Sequence, residues 1–167
     1  KLAEESKDKN QVAYMLGWFG DTYRMAKKPD SAIMMYRNQV ELTKQLGDKE
    51  KIAYGLQGIG MSYTIKDDHK KAIEYYLQAI AIGDSEHFST ANFTLNTAQA
   101  YFNLKQYTRA LFYAKLSLDS YKENGEKNEQ MQLYRMLSQI SATANNYKEA
   151  YFNTLHYTAI LASLSSI

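Results

Sequence analysis

The chain repeats itself at one fixed register. Ala13-Tyr14-x-Leu16-x-x-x-Gly20-x-x-Tyr23 returns forty positions later as Ala53-Tyr54-x-Leu56-x-x-x-Gly60-x-x-Tyr63, and Ala32-Ile33-x-x-Tyr36 returns as Ala72-Ile73-x-x-Tyr76. A third, more degenerate copy runs through Ala98, Tyr101, Tyr107, Ala110, Leu111 and Ala114, and a fourth keeps Leu137, Tyr147, Ala150 and Tyr151. Such periodicity calls for a stack of like units, each of which buries its apolar face only against its neighbours.

The units are helical. With one proline and eight glycines in 167 residues, and with Leu, Ala, Tyr, Lys and Gln plentiful, long helices are favoured over a sheet with many turns. Ala72, Ile73, Tyr76, Ala79 and Ile80 follow the spacing of one buried helical face, and alternation of period two is absent. Gly20, Gly60 and Ala98 stand where a first helix (A) must admit its neighbour, and Ala32, Ala72, Ala110 and Ala150 do the same on the second (B). Tyr23, Tyr36, Tyr63 and Tyr76, with Met34, Met35, Met131 and Met136, read as core.

Punctuation divides the chain accordingly. Pro29 suits the first turn of a helix, Asp68 and Asn146 suit N-caps, and Gly47, Gly83 and Gly125 suit left-handed helix ends. Helix A is expected over 10–26, 49–65, 87–103 and 128–144, and helix B over 29–46, 69–82, 107–123 and 147–164. These form one domain with repeats at 10–46, 49–83, 87–123 and 128–164. Leu2, Asp8 and Lys9 match Leu42, Asp48 and Lys49 at the same offset, so residues 1–8 are expected to end a preceding helix B.

The order Leu, Gly, Tyr, Ala, aromatic, Ala resembles the tetratricopeptide repeat across nearly the whole chain. That resemblance implies an all-α, right-handed superhelical stack of antiparallel helix pairs, an α-solenoid of about four repeats, that binds a protein or peptide. The period of 38 to 40 residues resembles the lengthened repeats of bacterial regulatory proteins. These include the sensor portions of two-component kinases and the peptide-responsive regulators of Gram-positive bacteria. Tyr157-x-x-Ile160-Leu161-Ala162-Ser163-Leu164 is similar to the last repeat helix of the kinase-linked group, with Ala162 where that group has Asp. A periplasmic location would follow for part of a membrane-bound sensor, and a cytoplasmic one otherwise.

Chemistry of other kinds finds little support. A net charge of +2 with both signs dispersed gives no polyanion-binding surface, so nucleic acid is not an expected partner. No apolar run approaches a membrane span. Cysteine is absent, and His69, His87 and His156 lie far apart in the register, which supports neither a metal site nor a catalytic triad. Gly55-x-x-Gly58-x-Gly60 reverses the order of a phosphate loop and falls inside a helix, where close packing explains it better. Neither enzymatic activity nor a cofactor is expected.

A partner would meet the A helices, which form the concave wall of such a stack. Off their packing faces stand Tyr14, Trp18, Asp21 and Met25, then Tyr54, Gly58, Met61 and Ile65. The later repeats contribute Asn92, Asn96, Gln99 and Asn103, then Gln132, Met136, Gln139 and Thr143. Asn92, Asn96, Gln99 and Asn103 are spaced i, i+4, i+7, i+11 along one helix face. Asparagine is a poor helix former, so three on one face call for a reason. Amides both donate and accept, as an extended peptide backbone requires. The stripe, flanked by Tyr54 and Arg135, is the expected centre of the groove. Two functional readings follow: the sensor or regulatory part of a bacterial signalling protein, or a freestanding adaptor that holds two proteins together without switching.

Overall fold

The computed structural model describes residues 2–165, with side chains from residue 7 onward. Among the described residues there are eight helices and no strand: α1 (Leu2–Met25), α2 (Pro29–Leu46), α3 (Lys49–Ile65), α4 (His69–Glu86), α5 (Ala91–Asn103), α6 (Tyr107–Glu123), α7 (Lys127–Thr143) and α8 (Tyr147–Ser165). They form two compact units, residues 1–93 and 94–167, where the sequence reads as one domain. In the first unit α1 packs on α2, α2 on α3 and α3 on α4; in the second, α6 packs on α7 and α7 on α8. Tyr101 of α5 stacks on Tyr113 of α6 with centroids 5.5 Å apart.

Small residues let these helices approach, and tyrosines fill the space they leave. A Cβ on Gly60 would lie 2.5 Å from the Tyr76 ring, and one on Gly20 or Gly58 would lie 2.5 Å from the Tyr36 ring. Ala32, Ala72, Ala98, Ala110 and Ala150 are all buried. Burial pushes the Tyr76 hydroxyl up to about 12, and that hydroxyl pairs with Thr64 Oγ1 at 3.1 Å. Tyr36 and Tyr76 are core residues, whereas Tyr23 and Tyr63 are half-buried. Met136 is buried, Met35 and Met131 are half-buried, and Met34 is exposed, because it falls on the outer side of α2.

The helix ends mostly follow their residues. Pro29 occupies the first turn of α2, and Gly47 closes that helix at φ 72. Asp68 accepts from the Lys71 backbone N–H, which holds its carboxyl below the usual range, and Asn146 accepts from the Glu149 N–H. Gly125 has φ 72.

Three expectations are corrected. Residues 2–8 do not end a separate helix but continue into α1. The counterpart of Gly47 at that offset is Lys7, which lacks the glycine that reverses the chain so readily. Gly83 does not end α4, which runs on to Glu86, and His87 takes the left-handed position at φ 59. Gly83 serves close packing, since a Cβ there would meet Thr90 at 2.4 Å and Phe88 at 3.2 Å. The third A helix therefore starts at Ala91 and not at 87.

Each A-to-B turn uses a left-handed residue two positions before the next helix. These are Lys27, Asp67, Lys105 and Asn145, at φ 54, 60, 59 and 59. The following N–H returns to a carbonyl five residues back, as in Gln106 to Tyr101 at 2.9 Å and Asn146 to Ser141 at 2.8 Å. Asp and Asn tolerate this region, and lysine does so at a cost. Lys105→Gly is therefore expected to raise the unfolding free energy by about 0.5–1 kcal/mol in denaturant melts. A loss of stability would contradict the turn geometry.

Candidate functional site

In the second unit α5 and α7 flank a groove of about 590 Å³ lined by Leu95, Asn96, Gln99, Gln132, Arg135, Met136 and Gln139. Asn96 and Gln99 stand one turn apart on α5, while Gln132, Arg135 and Gln139 repeat that spacing on α7, so the amides of two helices face one space. The groove offers amide donors and acceptors, one guanidinium and no carboxylate. Arg135 has no ion-pair partner among the described residues. Arg135 and Gln139 also border a smaller space of about 210 Å³ with Ser138, Thr154 and Tyr157. Two of the four stripe residues, Asn96 and Gln99, thus line the groove, together with Arg135 and Gln139. Asn103 lies just beyond it and accepts a hydrogen bond from Gln99 Nε2 at 3.0 Å, which orients that amide. Asn92 is exposed and belongs to the first unit.

The first unit has its own pocket of about 130 Å³ between α1 and α3, lined by Gly17, Asp21, Tyr36, Gln39, Tyr54, Gln57, Gly58 and Met61. Asp21 Oδ1 accepts from the Tyr36 hydroxyl at 2.8 Å and from Arg24 at 3.0 Å. Burial pushes the Tyr36 hydroxyl up to about 12, so it remains a donor. Tyr54 is half-exposed and meets the edge of Phe93 at 5.6 Å. Trp18 is exposed against Phe19. Tyr14 lies apart from this pocket, beside Lys7, Asn10, Gln11 and Met15. Gly58, expected on the open wall, is buried beneath Tyr36.

Helix periodicity missed Gln39, because it sits on a B helix at a position held by Ala79 and Ser117 in the next two repeats. A glutamine in a register of small buried residues was the available signal. The histidines lie apart: His69 is buried with Nε2 3.0 Å from Asp67, His87 ends α4, and His156 stacks on Tyr134 at 4.7 Å. Among the described residues no group of three or more His, Asp or Glu could hold a metal ion. No described helix is long and apolar enough to cross a membrane.

Residues 11–85 match the family described as tetratricopeptide repeat. No curated protein matches the chain. Among solved structures it is similar to BtubC (BKLC) from P. vanneervenii, with a TM-score of 0.84 at 16% identity over 95% of this chain and 66% of that one. It is also similar to the apo form of RapI, with a TM-score of 0.85 at 15% identity over 92% of this chain and 43% of that one. Aspartyl phosphate phosphatase F from Bacillus subtilis gives 0.87 at 14% identity, over 94% and 42%. The chain spans less than two thirds of the length of each of these three.

Proposed function

We propose that the chain binds a peptide or an extended protein segment along its A helices, a reading supported by the match of residues 11–85 to the tetratricopeptide repeat and by a fold like that of helix-pair repeat proteins. In this reading it is the regulatory part of a bacterial signalling protein. The observation that carries the binding half is the groove of the second unit, where Asn96, Gln99, Gln132, Arg135 and Gln139 converge. A strand-like peptide presents alternating N–H and C=O groups, and side-chain amides pair with both without reading the ligand's own side chains. The long repeat period and the likeness in fold to RapI and to a Bacillus subtilis aspartyl phosphate phosphatase support the regulatory half.

The binding reading is tested with decapeptides selected on the wild-type protein from a random library. Asn96→Ala and Gln99→Ala are each expected to weaken the selected peptides by about 0.5–1.5 kcal/mol while leaving the melting temperature nearly unchanged. Both side chains reach open space, so their loss removes ligand contacts more than packing. Unaltered affinity in both variants would count against the groove.

A further inference from the structure

A polar side chain without a partner sits at the floor of the first unit's pocket. Gln39 is 8% exposed, and its amide nitrogen would lie 2.5 Å from a Cβ on Gly17. Its side-chain amide makes no hydrogen bond among the described residues, and it lines the pocket together with Asp21, Tyr36 and Gln57. The amide faces the open space of the pocket, where a ligand can pair with it. Asp21, which is exposed, adds a second acceptor: both the Tyr36 hydroxyl and Arg24 bond to Oδ1, which among the described residues leaves Oδ2 open to solvent or a ligand.

These atoms define a ligand. Asp21 Oδ2, Gln39 Oε1 and the Tyr36 hydroxyl oxygen all accept, and the one charge among the lining residues is negative. Arg24, ion-paired with Asp21 at 3.0 Å and adjacent to Tyr36, stands outside the lining, so a bound cation would share the carboxylate with it. The space of about 130 Å³ admits the end of a single side chain, and the half-exposed Tyr54 ring and Met61 give an apolar wall for a methylene stem. Gly17 and Gly58 keep the floor low. We propose that this pocket receives one lysine or arginine side chain from the peptide bound along the A helices. The inference rests on the peptide-binding reading and adds to it a site, a charge and a residue class.

The probe is acetyl-Gly-Arg-Gly-amide, titrated into the isotope-labelled full chain and followed by amide NMR, with the Glu counterpart as control. The arginine tripeptide is expected to shift the Gly17 and Gly58 amides and the Gln39 side-chain amide saturably, and the Glu tripeptide to leave them in place. Asp21→Asn should weaken that binding about tenfold. Gln39→Met should weaken it as well while holding or raising the melting temperature, because it replaces an unpaired amide with an apolar group of similar length. Absence of saturable shifts, equal shifts with the Glu tripeptide, or undiminished binding in both variants would overturn the proposal. Failure of the groove in the second unit would instead show at Asn96 and Gln99, whose signals are separate.

Discussion

Tyr36→Ala is expected to cost about 3–5 kcal/mol of unfolding free energy, read from denaturant melts. The side chain is buried, and its ring occupies the space left by two glycines on different helices: Gly20 of α1 and Gly58 of α3 would each place a Cβ 2.5 Å from it. Truncation therefore opens a cavity at the joint between the first and second repeats, where the surrounding backbone cannot close easily. It also removes the hydroxyl that donates to Asp21 at 2.8 Å. Tyr36→Phe keeps the ring and loses only the hydrogen bond, so about 1 kcal/mol is expected there. Equal costs for the two variants would mean that the ring is not the wedge between these helices.

Gly60→Leu should destabilise by about 3 kcal/mol, through overpacking instead of a cavity. Even a single Cβ would stand 2.5 Å from Tyr76 Cε1 and 3.1 Å from the Ala72 carbonyl oxygen, and the latter belongs to backbone that cannot swing aside. The clash with the ring makes a double-mutant test possible. In a Tyr76→Ala background, Gly60→Ala should cost less than it does in the wild type, since half of the obstruction has gone. Lys66→Ala serves as the control: Lys66 is exposed and pairs with Asp30, and such surface pairs contribute about 0–1 kcal/mol. Equal effects at Gly60 and Lys66 would invalidate the repeat register.

The helix pairs were legible because their signals are local. The forty-residue offset, Pro29, Gly47, Asp68 and Asn146 each act within one or two turns, and each falls where the structure uses it. The errors lie where a residue serves a more distant contact. Gly83 reads as a helix end by position, yet it admits Phe88 and Thr90, and the left-handed residue is His87, four positions further on. Lys27 and Lys105 adopt left-handed turns for the same reason, held there by the hairpin around them. The candidate sites show a similar division. Periodicity placed Asn96, Gln99 and Gln139 on open helix faces, but which amides share a groove depends on the approach of α7 to α5. Gln39 was hidden because it lies on a B helix, away from the A-helix faces on which a partner is expected; only the pocket above it shows that its amide faces space.

The most direct test of the peptide-binding account is to map where a selected decapeptide sits, by amide NMR on the full chain with a spin-labelled peptide. The account predicts line broadening centred on Asn96, Gln99, Arg135 and Gln139 of α5 and α7. Broadening centred on the B helices, at Lys115 and Leu116 of α6 or Tyr151 and Leu155 of α8, would contradict it.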